Sequence, residues 1–244
     1  LRAAFPPFIF QPFKTIYMSQ SSRISLVTTP HKGIRFAFPL LSVKAGSLDY
    51  TDKKAVAELK KELVEFGGLL EEHAELENKF ILKNLEERVP GSARHDEADH
   101  EQLEFLQEQL MAKLELILSP TTAPAEAPAL GYAFYQDLCM LHAAHLEHMM
   151  EEETVTQQLM WQHFSDEELL AIHGQIMACI PPPMMLAWSK YILPAMNPAE
   201  REAMLKGIQA GAPAPFFEQI MSIAQATLTA TDFEKLEVSL SEMA

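Results

Sequence analysis

The stretch His145-Leu-Glu-His-Met-Met-Glu-Glu-Glu-Thr154 puts an imidazole, His148, and a carboxylate, Glu152, four residues apart in a segment without a helix breaker. On an α-helix, positions i and i+4 share a face. Stepping outward by threes and fours gives Phe134, Leu138, Leu141, His145, His148, Glu152, Val155 and Leu159, an apolar seam with a polar centre. Burying such groups costs free energy unless something binds them. The figure recurs in Leu59, Leu63, Phe66, Leu70, His73, Glu77 and Phe80, where His is again followed four residues later by a carboxylate. Two such helices face to face make a metal site in the core of a helical bundle.

Working outward, Pro30 is placed to open a helix through Gly46 that carries His31, Ile34, Phe38 and Leu41 on one face. Asp52 caps the next, which runs to about Arg88 before Pro90-Gly91. A third starts at Ser92 with the stripe Asp96, His100, Leu103, Leu106, Leu110, Leu114 and Ile117, and a fourth runs from about Ala129 to Gln162. With about 1.5 Å of rise per residue and antiparallel neighbours, His100 and His148 come out level, Glu77 and His100 differ by about a turn, and His31 fits its neighbour less well. Nothing alternates with period two over a convincing length.

The expected fold class is therefore all-α: an up-down four-helix bundle over residues 28–165, followed by a C-terminal helical extension over 166–244. Ser165-Asp-Glu-Glu168 has the form of a capping box that starts the extension. Its Met-rich apolar faces, including Met184, Met196, Met204 and Met221, read as packing. Residues 1–27 read as an N-terminal extension that need not join the fold, and Met18-Ser-Gln-Ser-Ser resembles a natural start.

The formal charge of −15 argues against nucleic acid and anionic membrane surfaces as partners, since both reward clustered Lys and Arg. Cys139 and Cys179 make no disulfide framework, which fits a reducing compartment, and a cytoplasmic location is expected. No run approaches the roughly 18 apolar residues of a membrane helix. Gly-rich phosphate loops, nucleophile elbows and Cys-based zinc patterns are missing from the sequence.

His31, His73, His100 and His148 fall on the inward stripes of four different helices, and two of them carry Glu77 and Glu152 at i+4. Four imidazoles and two carboxylates favour iron, with manganese or zinc as alternatives. If both carboxylates bridge, the donors fill most of the positions around two ions and leave about two open for a small molecule. His145, also on the seam, is a wall of the pocket, a supporting group or an extra ligand. Asp96 reads as a capping or solvated residue, and Glu152 as the one inward member of Glu151-Glu152-Glu153. His95, His142, His163 and His173 lie off the seam.

His31-Lys-Gly-Ile-Arg35, His73-Ala-Glu-Leu-Glu77, His100-Glu-Gln-Leu103 and His148-Met-Met-Glu-Glu-Glu153, in this order on four helices, resemble the hemerythrin family of His-His-Glu cation-binding domains. The resemblance implies two iron ions in a non-haem di-iron centre. His31, His73, His100 and His148 would be its terminal ligands and Glu77 and Glu152 its bridging carboxylates. It also implies a small diatomic ligand, dioxygen or nitric oxide, bound for sensing, storage or stress protection. Asp96 stands where oxygen-carrying hemerythrins have the first His of a His-x-x-x-His pair, which argues against simple reversible oxygen carriage. The alternatives are a di-iron enzyme acting on peroxide, nitric oxide or ferrous iron, and a helical interaction protein with a structural metal site. A metal- and oxygen-binding protein is the reading preferred over an enzyme.

Overall fold

A computed structural model describes residues 23–241; the extension up to residue 22 and the end of the last expected helix lie outside the described residues. Within them the chain is all-α and contains no strand. Helix α1 spans Thr28–Ser47 with Pro30 in its first turn. Helix α2, Lys53–Leu76, is capped by the Asp52 carboxylate, which accepts from the backbone N–H groups of Lys54 and Ala55 at 2.9 and 3.1 Å. It runs on through a π-helical turn, Glu77–Leu82, into α3, Lys83–Arg88. Gly91, at φ +91°, then supplies the left-handed residue that turns the chain.

Helix α4 covers Arg94–Leu118, starting two residues later than the sequence implies. Helix α5, Ala127–Glu151, passes through a second π-helical turn, Glu152–Thr156, into α6, Gln157–His163. Helix α1 packs on α2 and α5, α2 on α4, and α4 on α5, so the four longest helices form a closed ring of neighbours. By level counting alone His31 is out of step with His73. From His31 to the end of α1 is 47 − 31 = 16 residues, and from the start of α2 to His73 is 73 − 53 = 20. The difference corresponds to about 6 Å of rise. Tyr50 of the loop between the two helices is buried with its hydroxyl donating to the Ala45 carbonyl at 3.0 Å.

Two apolar clusters fill this ring. One contains Ile34, Phe38, Leu63, Phe66, Leu103, Leu110, Phe134 and Leu138. The other contains Leu26, Val27, Ile81, Leu82, Leu85, Met160, Phe164, Leu169 and Ile172. His31 lies between the two sets on α1, Glu77 between them along α2, and Glu152 between them along α5. Each large side chain fully buried here contributes about 1.5–3 kcal/mol, and this offsets the burial of a polar layer in between.

The remaining helices are α7 (Asp166–Cys179), α8 (Pro182–Ala195), α9 (Pro198–Gly211), α10 (Ala214–Thr227) and α11 (Ala230–Ser241). Capping boxes Ser165/Glu168 and Asn197/Glu200 start α7 and α9. Helix α8 lies along α1 and α2, where Trp188, Ile192 and Met196 join the first cluster. The approach is close at Gly33, where a Cβ would come within 3.0 Å of Ile192 Cγ1. Helix α7 contributes Leu169 and Ile172 to the second cluster, while Leu193 with Leu205, Ile220, Ala224, Leu236 and Leu240 forms a third. Residue 165 is thus no gap in packing, because α7 and α8 are built onto the ring.

Residues 23–27, read from sequence as extension, also pack on the fold. Arg23 contacts Asp166 and donates to the carbonyls of Trp161 and Phe164, and the Leu26 N–H donates to the Gln157 side-chain Oε1 at 2.9 Å. No single helix among the described residues is long and apolar enough to cross a membrane. Both cysteines are free.

Candidate metal centre

The two carboxylates singled out in the sequence are the first residues of the two π-helical turns. A π turn carries i→i+5 bonding and often marks a functional site, because it widens the helix locally and shifts the register of the residues after it. The shift is visible in burial. Val155, expected on the seam, is 43% exposed, whereas Thr156 and Met160 are 3% and 1% exposed. On the other helix Phe80 is half-buried and Ile81 takes the core position. The seam beyond each Glu therefore slides by one residue, and Val155, Leu159 and Phe80 are corrected to Thr156, Met160 and Ile81.

All six expected ligands converge. His31, His73, Glu77 and Glu152 form one group, and Glu77, His100, His148 and Glu152 form another; in each, one donor atom per residue lies within 4.8 Å of the rest. Both carboxylates belong to both groups. Glu77 lies 3.6 Å from His31 Nε2 and 3.4 Å from the Nε2 atoms of His73 and His100. Glu152 lies 3.1, 3.7 and 3.5 Å from the Nε2 atoms of His31, His100 and His148. The imidazoles pair edge to face, His31 with His73 at 5.2 Å and His100 with His148 at 4.6 Å between centroids.

The two carboxylates are buried and the polar atoms of the site are poorly satisfied. Glu77 and Glu152 are 3% and 1% exposed. Both Glu77 oxygens, Glu152 Oε2, and the Nε2 atoms of His31 and His73 have no hydrogen-bond partner among the described residues. Buried polar groups in native structures are nearly all paired, so a group of orphans facing one another needs a reason. A bound cation is such a reason, since it accepts the lone pairs of all of them at once.

Outer hydrogen bonds fix two of the imidazoles for that role, and a third has a carboxylate nearby. His31 Nδ1–H donates to Glu153 Oε1 at 2.9 Å, and Arg35 holds the same carboxylate at 2.6 and 3.2 Å. His100 Nδ1–H donates to Asn78 Oδ1 at 2.9 Å. His148 Nδ1 lies 3.4 Å from Asp99 Oδ2. A proton held on Nδ1 leaves the Nε2 lone pair free for a metal. Glu153 is therefore no solvated bystander of Glu152, as the sequence implied.

Electrostatics without a metal show how far the layer is from water. Burial pulls the His31 imidazole down, but the carboxylates of Glu152, Glu153 and Glu77 beside it hold it well above its ordinary value. Burial opposes protonation of His100 too, yet contacts with Glu152 and Glu77 raise it to about 10. His73 is lowered to about 4, mainly by desolvation. Burial pushes the Glu77 and Glu152 carboxyls up, and the neighbouring imidazoles outweigh it, leaving both below the usual range.

Two further residues differ from expectation or gain detail. Asp96 is buried, not capping or solvated; it accepts from Thr156 Oγ1 at 2.5 Å, and burial raises its pKa. Its partner is the last residue of the π turn, one past Val155. His145 is 6% exposed, tilts against Phe38 at 5.1 Å, and has no hydrogen-bond partner at Nε2 among the described residues. It belongs to neither four-residue group. Nor do His95, His142, His163 and His173. A cavity of about 450 Å³ between α2 and α4 reaches His73, His100, His145 and His148.

Taken together, the site defines a helical protein with buried His/Glu groups that can hold metal ions. No protein-family model matches the chain, and no solved structure matches it. Among curated proteins it is similar to the F-box/LRR-repeat protein 5 of Danio rerio, at 27% identity over 163 residues. The match covers 63% of this chain but 22% of that protein, so the chain spans about a fifth of its relative's length.

Proposed function

We propose that this chain is a cytoplasmic non-haem di-iron protein of the hemerythrin-like kind. In this reading α1, α2 with α3, α4, and α5 with α6 form an up-down four-helix bundle around two iron ions. It binds a small diatomic ligand, dioxygen or nitric oxide, for sensing, storage or stress protection. The observation that carries the reading is the pair of buried groups, each with two imidazoles, that share Glu77 and Glu152. Two shared carboxylates between two nitrogen pairs are a donor set for two adjacent ions of intermediate hardness.

His31 and His73 would hold one ion, His100 and His148 the other, and both carboxylates would join them. When bound, iron supplies reversible redox chemistry and open positions for a small ligand. The chain supplies the rest: Glu153 and Asn78 orient the imidazoles of His31 and His100, and apolar clusters flank the layer on either side. The cavity beside His73, His100 and His148 gives a small molecule access.

The test is iron content with absorption spectra before and after exposure to air or nitric oxide. About two irons per chain and a ligand-dependent visible band are expected. Metal-free protein of unchanged stability would reject the reading. Consumption of peroxide or nitric oxide over many turnovers would instead place the same site among enzymes.

A further inference from the structure

The cavity that reaches the imidazoles has an unusual mouth. Its rim carries Glu71 and Glu75 from α2 and Glu97, Glu101 and Glu104 from α4, all exposed, and among the described residues no Lys or Arg lines it. On each helix these acids recur at spacings of three or four, so they stand on one face, and like charges at that spacing are destabilising. Cations used elsewhere on the surface, such as Lys190 on Glu65 and Lys113 on Asp137, are not brought here. Inside the rim the lining changes from carboxylates to imidazoles: His73, His100, His145 and His148. His145 is the one of these outside both four-residue groups, and its buried Nε2 has no partner among the described residues.

We propose that this cleft is the entry route for hydrated divalent transition-metal ions, and that His145 is the relay ligand between the acidic mouth and the buried centre. The inference rests on the metal-centre reading and adds how the centre is filled and what it admits. Carboxylates at the mouth concentrate a divalent cation and repel anions, as a cleft lined by one sign of charge does. The imidazoles then replace oxygen ligands by nitrogen, which first-row transition metals prefer and magnesium and calcium do not. Selection against the abundant alkaline-earth ions is thus built into the passage.

The experiment monitors loading of metal-stripped protein with cobalt(II), whose visible bands report arrival in a nitrogen-oxygen site, by stopped flow. It compares the wild type with the triple variant Glu75→Gln, Glu97→Gln, Glu101→Gln. A control removes three exposed acids of the C-terminal helices: Glu218→Gln, Glu234→Gln, Glu237→Gln. At low ionic strength the mouth variant is expected to load about tenfold more slowly or worse, to the same final stoichiometry. The gap should close in high salt as the field is screened. His145→Gln should slow loading in salt as well as without it. Equal rates for wild type and mouth variant, or equal slowing by the control, overturn the route while leaving the metal centre standing. Failure of the wild type to take up cobalt at all overturns both.

Discussion

Glu77→Gln changes one atom of a side chain that belongs to both candidate His/Glu groups, and its effect should be larger than that of losing one ligand. Glu77 lies within 3.4–3.6 Å of three imidazoles from both groups. An amide is neutral and offers one oxygen, so it cannot join two cations as a carboxylate does. A bound ion present at 100 times its Kd stabilises the fold by about 2.7 kcal/mol, and two such ions by about 5 kcal/mol. In a domain of this size each kcal/mol moves Tm by about 2–4 °C, so metal should raise the wild-type Tm by about 10–20 °C. Glu77→Gln should lose nearly all of that rise, because both groups use the same residue. The assay is thermal unfolding with and without added metal, paired with metal content on the same samples. A variant that keeps two ions and the full rise would refute the sharing, and one that keeps a single ion with half the rise would show that Glu77 serves only one group.

Glu153→Gln removes the charge behind His31 while leaving all six donors in place, so metal stoichiometry at saturation should hold and affinity should fall about 10–100-fold; titration against a competing chelator checks this, and unchanged affinity would remove Glu153 from the account. The metal-free protein should have a stability maximum near pH 6.5. Above it, the raised His100 contributes stability that is fully present below the ordinary value of 6.5 and is lost as pH rises toward about 10. Below it, His73 and His145, lowered to about 4 and 3 by desolvation, protonate in the unfolded chain before they do in the fold, so stability falls with pH. The lowered carboxyls Glu77 and Glu152 add to the loss in stronger acid. Urea unfolding of chelator-treated protein across this range tests the sign on each side; stability that climbs steadily from pH 6.5 to 9 contradicts it.

Most of the site was legible because its signal is local. A His and a Glu four residues apart in an apolar seam can be read without knowing the fold; the two such helices stand diagonally in the ring, and their Glu77 and Glu152 meet in shared groups. Level counting placed His100 beside His148 because both helices are continuous between their ends and those residues. What the sequence hid depends on partners far away or on an irregular turn. Nothing in the residues of Glu152–Thr156 marks a π turn, so helical spacing alone puts the seam beyond it one residue early. Glu153 gains its role from His31 and Arg35, which are more than a hundred positions distant. Asp96 accepts from Thr156, sixty positions along the chain, a partner the sequence does not name. The seat of α8 along α1 and α2 was equally unreadable, since an apolar helix face does not name the surface that covers it.

The central claim is that two cations sit side by side between the paired imidazoles, joined by Glu77 and Glu152. Anomalous diffraction at the iron edge, from crystals of the iron-loaded full chain, tests it most directly. Two peaks are predicted, one bounded by His31 and His73 and the other by His100 and His148, with both carboxylates touching each. A single peak, or iron bound only at the surface, would contradict it.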